Sequence, residues 1–335
     1  KFETADEKRE RVRQADADYP SAATALSDML LGPVASQLGR KRLLVVPDGA
    51  LEYLPFAALA VPRKTAPASF VPLMVEHEVT SIPSASTLAV LRQELRGRAP
   101  AEKVVAVFAD PVFDKADERV TGDLSRAAGG HHGALLPDDL PALQRLPYTR
   151  QEAEAILALV PSTSRKAALG FEANRAAAMS DDLIKYRIIH FATHSFLNST
   201  HPELSSIALS MLDRGGKPQN GYLRAHEVFN LKLGAELVVL SGCRTGLGKE
   251  VKGEGLYGMT RGFMYAGSKR VVVSLWDVQD QATARLMSDF YRGLLGPKRP
   301  HAAAALRAAQ IAIWREGRWQ APYYWAGFVL QGEPQ

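Results

Sequence analysis

The residues best suited to chemistry follow two apolar segments in the second half of the chain. Cys243, the only cysteine among 335 residues, comes shortly after the run Leu237–Leu240. His194 follows the segment 187–192 and precedes the cysteine by 243 − 194 = 49 residues. A thiol with the ordinary pKa of about 8.5 is only slightly ionised at neutral pH, so it needs a neighbouring imidazole to act as a nucleophile. Together these residue types indicate nucleophilic catalysis.

The same two residues also have a purely structural interpretation. A lone cysteine after an apolar run is often a small buried hydrophobe. A histidine at the end of a strand is often a hydrogen-bonded core residue. Spacing and residue type alone leave these two interpretations about equally supported.

The elements that must position these residues are buried parallel strands. An unbroken apolar run is typical of a strand covered on both faces, and residues after such strands reach the edge where open α/β sheets bind ligands. If the strands before His194 and Cys243 are neighbours, their side chains meet at this edge. The sequence predicts strands at 43–46, 78–82, 104–108, 187–192, 237–240, 270–275 and 325–330.

Helices alternate with these strands. The sequence predicts them at 1–16, 23–38, 86–96, from 149 onward, and at 174–186, 254–266, 280–295 and 302–316. Thr149 and Glu152 have the spacing of a capping box, which places a helix N-terminus at Thr149. Alternation of strands and helices predicts an α/β fold whose largely parallel sheet has helices on both faces.

Composition excludes several classes of protein. With 46% hydrophobic and 23% charged residues, the chain is typical of a globular protein with a substantial core. No apolar run approaches the roughly 18 residues of a membrane span and no secretory leader is found, so we expect a cytoplasmic protein without a membrane segment. A net charge of +5, spread along the chain, gives no argument for nucleic-acid binding.

Cysteine and histidine counts limit metal and disulfide chemistry. One cysteine excludes an internal disulfide and a multi-cysteine zinc site. His131 and His132 lie in a loop rich in glycine and proline, where no further ligand has metal-site spacing. We therefore expect no metal and no cofactor. Because the chain begins at Lys1, we also expect it to be a fragment that lacks an upstream neighbour.

Several motifs in order resemble the CHAT domain, a caspase-like, separase-related cysteine peptidase module often linked to tetratricopeptide repeats. They are His-Phe-Ala-Thr-His at 190–194, Leu-Ser-Gly-Cys-Arg-Thr-Gly at 240–246, Gly-Glu-Gly-Leu-Tyr-Gly at 253–258 and Ser-Leu-Trp-Asp-Val-Gln-Asp at 274–280. Upstream, 46–56 and 146–153 look like the N-terminal part of the same family. The resemblance implies a caspase-like sandwich, preceded by a smaller α/β subdomain.

The resemblance also implies a division of the chain into three segments. Residues 1–39 are an N-terminal helical segment, and 40–145 are an N-terminal CHAT subdomain that ends in a long loop. Residues 146–335 are the caspase-like catalytic subdomain.

A spacing of 49 residues between His194 and Cys243 agrees with the interval of roughly 50 residues between histidine and cysteine known for caspases.

Site roles follow from the resemblance position by position. Cys243 matches the nucleophile, and His194 matches the histidine that protonates the leaving amine. The oxyanion hole is formed by the backbone N–H groups of Cys243 and Ser195. In the family the residue after the histidine is commonly glycine, so Ser195 is strained if this position requires a positive φ.

Acidic residues near the site are candidates for the primary specificity pocket. The resemblance implies a carboxylate that selects arginine or lysine, for which Asp277 and Asp280 are candidates and Glu203 a weaker one. Alternatively, Asp280 caps the helix that begins there and Asp277 is a turn residue. His190 points to the same side of its strand as His194, deeper in the sheet, where a packed and hydrogen-bonded role is expected.

Three functions remain open. The leading one is a cysteine endopeptidase that cleaves a protein substrate after Arg or Lys and is regulated by a partner or an upstream repeat module. The second is a catalytically silent caspase-like interaction scaffold. The third is a nucleotide-dependent enzyme, since Gly253-x-Gly255-x-x-Gly258 followed by Asp277 fits a dinucleotide fingerprint; however, these glycines do not directly follow a strand.

Overall fold

The structure is a computed structural model that describes residues 4–63, 70–120, 143–197, 205–242, 244–245 and 254–334. Its strands are β1 Leu43–Val45, β2 Val79–Ser81, β3 Lys103–Ala109, β4 Arg165–Leu169, β5 Tyr186–Ala192, β6 Ser195–Leu197, β7 Ser206–Ala208, β8 Tyr222–Arg224, β9 Leu237–Leu240, β10 Arg244–Thr245, β11 Arg270–Ser274 and β12 Phe328–Gly332. Its α-helices are α1 Ala5–Leu30, α2 Ala35–Leu38, α3 Ala85–Glu94, α4 Pro147–Ala158, α5 Arg175–Ala178, α6 Ala225–Val228, α7 Glu254–Tyr265, α8 Asp280–Leu295 and α9 Ala302–Arg315.

Eight strands form one sheet in the order β1-β2-β12-β11-β9-β5-β3-β4. Neighbouring strands are parallel except for β11 and β12, which are antiparallel. The strands before His194 and Cys243 are neighbours, as expected, with Ile189 of β5 opposite Val238 of β9. This sheet contains strands from both sides of the boundary predicted between residues 145 and 146. The division of the chain into three segments stays a prediction.

The sheet is covered on both faces, as the unbroken apolar runs predict. Residues of β9 alternate between the two faces: Val238 and Leu240 belong to one apolar cluster, and Leu237 and Val239 belong to the other. α7 packs in the first cluster, whereas α4, α8 and α9 pack in the second. The carboxyl ends of β5, β9 and β11 are thereby held at one edge of a rigid core.

A second sheet, in the order β10-β6-β7-β8, is built from the segments that follow β5 and β9. β6 and β10 run parallel with Phe196 opposite Arg244, and β7 is antiparallel to both β6 and β8. The sequence does not predict these strands, because none of them lies in an apolar run as long as residues 43–46, which mark the equally short β1. β4 is also missed, since it begins with Arg165-Lys166 at the edge of the large sheet.

Two predicted helix caps are wrong. α4 begins at Pro147 with Leu146 as its N-cap, so Thr149 lies inside the first turn and its Oγ1 donates to the Leu146 carbonyl at 2.7 Å. At α8 the N-cap is Gln279, whose Oε1 accepts from Ala282 N at 2.6 Å, and not Asp280. Glu152 and Asp280 are consequently available for other contacts.

Two predicted helices also differ from the structure. The segment 174–186 forms the short helix α5 and a 3-10 turn, Asp181–Lys185, in place of one long helix. The helices expected at 1–16 and 23–38 are joined in α1, which passes through Pro20 and ends at Leu30, and the rest of the second forms a 3-10 turn, Gly32–Val34, and α2. In the first case Ser180 interrupts the helix by capping the 3-10 turn, and its Oγ accepts from Asp182 N at 3.3 Å.

Candidate active site

A cavity of ≈ 310 Å³ opens at the carboxyl ends of β5, β9 and β11. This is the sheet edge where α/β folds bind ligands. We call it the catalytic cavity; its lining residues are Gln144, Arg145, Leu146, Thr149, Glu152, His194, Ser241, Gly242, Asp277, Val278, Asp280 and Thr283. It thus brings together three of the predicted site residues, namely His194, Asp277 and Asp280.

His194 is oriented by a backbone carbonyl. Its side chain is largely buried, with 8% of the residue exposed, and its Nε2 lies 2.7 Å from the Gln144 carbonyl oxygen. Because a carbonyl only accepts, Nε2 must carry the proton, and the neutral ring keeps its basic lone pair on Nδ1. The Phe113 ring packs at 5.4 Å from the imidazole and limits its rotation.

Cys243 and Glu203 lie outside the described residues, but the neighbours of Cys243 on both sides are described. Gly242 packs so closely on the Thr193 carbonyl that a side chain there would overlap it. On the other side, Arg244 pairs with Phe196. The chain flanking Cys243 therefore runs along the chain flanking His194, and Gly242 permits the close approach of the two backbones.

Ser195 does not have the strained backbone that its type suggested. Among the described residues, the non-glycine residues with positive φ are Asp110 and Arg299, so Ser195 lies outside the left-handed region. Ala208 N donates to the His194 carbonyl at 2.8 Å, which makes the next pair, Ser195 and Ile207, a non-hydrogen-bonded pair. The Ser195 N–H therefore faces away from β7, on the side where β10 lies.

Asp280 and Asp277 occupy different depths of the catalytic cavity. Asp280 is partly buried and its Oδ2 accepts from Tyr148 N at 3.2 Å. Burial raises the pKa of its carboxyl above the ordinary value, the Tyr148 hydrogen bond opposes this, and the charge of Glu152 adds to it. Asp277 is exposed, close enough to Tyr323 that its charge contributes, after burial, to the raised pKa of that hydroxyl.

A buried polar group lies beneath the catalytic cavity. Glu152 Oε1 is 2.8 Å from His190 Nε2, and both side chains are almost fully inaccessible. His190 Nδ1 lies 3.0 Å from the Tyr291 hydroxyl, and burial raises the pKa of Tyr291 well above its ordinary value. The packed, hydrogen-bonded role expected of His190 is confirmed, since its ring contacts α4 and α8 and not the cavity.

An ion-pair cluster holds the chain that orients His194. Arg145 follows Gln144 and donates to both carboxyl oxygens of Asp110, from Nε at 2.8 Å and from Nη2 at 3.1 Å. Arg119 Nη1 donates to the same carboxyl at 2.8 Å. Arg119 also binds Asp117, which ties a second carboxylate to the cluster.

The sequence does not indicate Gln144, Arg145 and Asp110 as functional residues. Gln144 contributes only its backbone carbonyl. Arg145 and Asp110 form an ion pair but lie 35 positions apart in the chain. The left-handed backbone of Asp110, with φ of 51°, is a sign of constraint that only the structure reveals.

Other chemistry finds little support in the described part of the chain. Gly255 and Gly258 lie within α7, so they do not form the turn that a dinucleotide fingerprint requires, and Gly253 lies outside the described residues. The described residues contain no group of three or more metal-binding side chains, and His131 and His132 are outside them. None of the described helices combines the length and apolarity needed to cross a membrane.

Comparisons with known proteins agree with this architecture. The family model of the CHAT domain matches residues 20–333. Tetratricopeptide repeat protein 28 of Mus musculus and that of Homo sapiens are each 36% identical over 110 residues, which is 33% of this chain. That stretch is 4% of either relative, so the chain spans a small fraction of their length.

A solved structure that matches this chain shows the same fold. The Saccharomyces cerevisiae separase-securin complex matches with a TM-score of 0.50 and 13% identity, over 87% of this chain and 15% of that chain. The Arg specific cysteine proteinase gingipain R matches with a TM-score of 0.44 and 9% identity, over 77% of this chain and 55% of that chain. The predicted caspase-like α/β fold, with a mostly parallel sheet between helices, is confirmed.

Proposed function

The chain belongs to the CHAT domain family, and we propose that it is a cysteine endopeptidase that cleaves a protein after arginine or lysine through Cys243 and His194. One observation carries the proposal: the residues flanking Cys243 run along the residues flanking His194, at the rim of the catalytic cavity. This arrangement of the flanking residues supports our assignment of Cys243 and His194 as partners.

In the proposed reaction, His194 Nδ1 takes the proton of the Cys243 thiol, and the sulfur attacks the scissile carbonyl carbon. The oxygen of the tetrahedral intermediate accepts hydrogen bonds from the backbone N–H groups of Cys243 and Ser195, each such donor being worth about 3 kcal/mol. The imidazolium then protonates the leaving amine, and water hydrolyses the thioester. The Gln144 carbonyl holds Nε2–H throughout and keeps Nδ1 directed at the reaction.

Asp280 is our first choice for the residue that binds a basic side chain. It lies deeper than Asp277, and burial makes its negative charge unfavourable until a cation approaches. Glu152 adds a second carboxylate to the floor of the same cavity. Asp277 and Glu203 remain candidates for contacts nearer the surface.

The decisive experiment is a fluorogenic peptide panel that varies the residue before the cut, assayed with the wild type and with Cys243→Ala. We expect cleavage after arginine or lysine by the wild type and none by the variant. An arginine-directed electrophile should label Cys243 and no other residue, as seen by mass spectrometry. Undiminished cleavage by Cys243→Ala would sink the proposal, and preference for a neutral residue would remove the assigned role of the carboxylates.

Asp280→Asn should separate substrate binding from stability. Asparagine can still accept from Tyr148 N, but it removes the charge, so we expect KM for an arginyl peptide to rise by about tenfold or more. Since the folded-state pKa of Asp280 is raised, its ionisation lowers stability as pH rises through that value. The variant should therefore melt no lower than the wild type at neutral pH.

Asp277→Asn is the matched control. If its KM for the arginyl peptide rises more than that of Asp280→Asn, the primary contact belongs to Asp277.

Regulation by an attached repeat module forms part of the proposal. It is supported by the likeness to tetratricopeptide repeat proteins and by the long exposed half of α1. We further propose a cytoplasmic location, because a reducing compartment keeps a single nucleophilic thiol free. The alternative, a silent interaction scaffold, predicts that the electrophile leaves Cys243 unlabelled.

A further inference from the structure

A second cavity, of ≈ 450 Å³, lies at the opposite end of the large sheet. It opens where β5, β9 and β11 begin, between the C-terminal ends of α4 and α8 and the start of α9. We call it the basic cavity, because its charged lining consists mainly of Arg187, Lys269, Arg270 and Arg299, with Glu236 as the one carboxylate. It shares no lining residue with the catalytic cavity.

The positive charge of the basic cavity exceeds what its own carboxylate can neutralise. Glu236 Oε2 accepts from Arg187 at 3.0 Å, and its Oε1 lies 3.9 Å from Lys269 Nζ. Arg270 Nε donates instead to the Glu333 carbonyl oxygen at 2.6 Å. Four cations and one carboxylate leave three positive charges among the lining side chains. Arg299 is exposed, whereas Arg270 is buried enough for burial to lower its pKa, against the opposing charges of Glu236 and Glu333. Glu333 does not line the cavity and is paired with Arg92.

Helix ends do not account for these cations. Lysine and arginine often bind the free carbonyls at helix C-termini, and α4 and α8 both end here. However, the carbonyls of Leu157, in the last turn of α4, and of Val160, just after the helix, accept from Arg165, which does not line the cavity. Within the described residues, none of the four cavity cations donates to a carbonyl of α4 or α8.

Arg299 is held in a costly backbone conformation at the cavity. Its φ of 38° lies in the left-handed region, which non-glycine residues seldom occupy because the Cβ atom crowds the backbone there. The described part of the chain supplies no ion-pair partner for its guanidinium. The turn leads directly into α9, whose N-terminal N–H groups also favour an anion.

Apart from His301, which caps α9 and lies 3.2 Å from a Glu78 carboxyl oxygen, the remaining wall is apolar and includes Ile188, Leu294 and Leu295. A recess of a few hundred Å³ with apolar walls and a few convergent charges has the character of a small-molecule site. Three excess charges suit a di- or triphosphate, and the leucines suit an organic group attached to it.

We propose that the basic cavity binds a small organic phosphate. Guanidinium groups of Arg187, Arg270 and Arg299, with the ammonium group of Lys269, bind the phosphate oxygens, and the apolar wall packs on the organic part. The binding needs no peptidase activity, so it can be tested independently of the function proposed for Cys243.

Calorimetric titration with ATP and with inorganic tripolyphosphate, at constant ionic strength and without magnesium, tests the proposal. We expect one site per chain, with ATP the tighter ligand because it also reaches the apolar wall. Arg299→Gly keeps the left-handed turn and Lys269→Met keeps the aliphatic stem, and each should weaken ATP binding about tenfold or more.

Lys298→Ala is the matched control, since Lys298 is exposed beside Arg299 but does not line the cavity. It should bind ATP like the wild type. Equal weakening in Lys298→Ala, or no binding by the wild type, would overturn the site. Tripolyphosphate binding as tightly as ATP would overturn the organic part of the proposal.

Discussion

Replacing His194 with alanine should lower kcat/KM for an arginyl peptide by about 10²- to 10⁴-fold. The variant loses both the base that ionises Cys243 and the acid that protonates the leaving amine. Among the described residues that line the catalytic cavity, His194 is the one histidine, so no other lining imidazole can take its place. Steady-state cleavage and the rate of Cys243 alkylation at neutral pH measure the two losses separately.

His226→Ala is the control for His194→Ala. His226 is an exposed histidine on α6 and lines neither cavity, so its loss should leave cleavage unchanged. Retention of more than about a tenth of wild-type activity in His194→Ala would contradict the proposed dyad, since general acid–base catalysis alone is worth more than that.

Asp110→Asn should reduce both stability and kcat. Asparagine fits the left-handed backbone and keeps the volume, but it leaves the guanidinium groups of Arg119 and Arg145 facing a neutral amide. Breaking a buried pair on one side costs about 3–5 kcal/mol, a value reduced here because Arg145 is partly exposed. Arg145 directly follows Gln144 in the chain. Loss of the Arg145 ion pair should therefore also displace the Gln144 carbonyl oxygen, which accepts from His194 Nε2–H.

Three measurements distinguish positioning from simple destabilisation. Chemical denaturation reports the loss of stability, and separate kcat and KM values should show that kcat falls much more than KM rises. ¹⁵N spectra of labelled histidine should show that His194 loses its fixed Nε2–H tautomer, whether or not the protein cleaves a peptide. Glu227→Gln removes the partly buried pair with Arg175 far from Gln144, and should destabilise the protein without altering the His194 signals.

Large parts of the fold could be predicted because burial on two faces leaves a direct trace in the sequence. β9 coincides with the run predicted at 237–240, and α8 coincides with the helix predicted at 280–295. β6, β7, β8 and β10 could not be predicted, because they are short and, unlike the equally short β1, do not lie in a run of four apolar residues. Their pairing depends instead on the large sheet having brought their ends together.

The candidate site could be predicted only where its residues directly follow strands. His194, Asp277 and Asp280 do so, and the structure places them around one cavity. The cap assigned to Thr149 was wrong because Leu146 and Pro147 start the helix earlier, which turns Glu152 inward. The Gln144 carbonyl could not be foreseen, since every residue type offers one and only tertiary structure selects which is used.

The two cavities give the large sheet opposite charges at its two ends. Carboxylates of Glu152, Asp277 and Asp280 lie at the end that carries His194, whereas the excess cations lie at the other end. Such a charge distribution acts as an electric dipole along the strands. Its field orients a charged molecule as that molecule approaches the protein, before contact is made. A basic peptide segment is drawn towards the catalytic end and repelled from the other, over distances that salt shortens to about 8 Å under physiological conditions. The alternation of strand and helix thus sets the direction in which the sheet orients a charged ligand, as well as the positions of the two cavities.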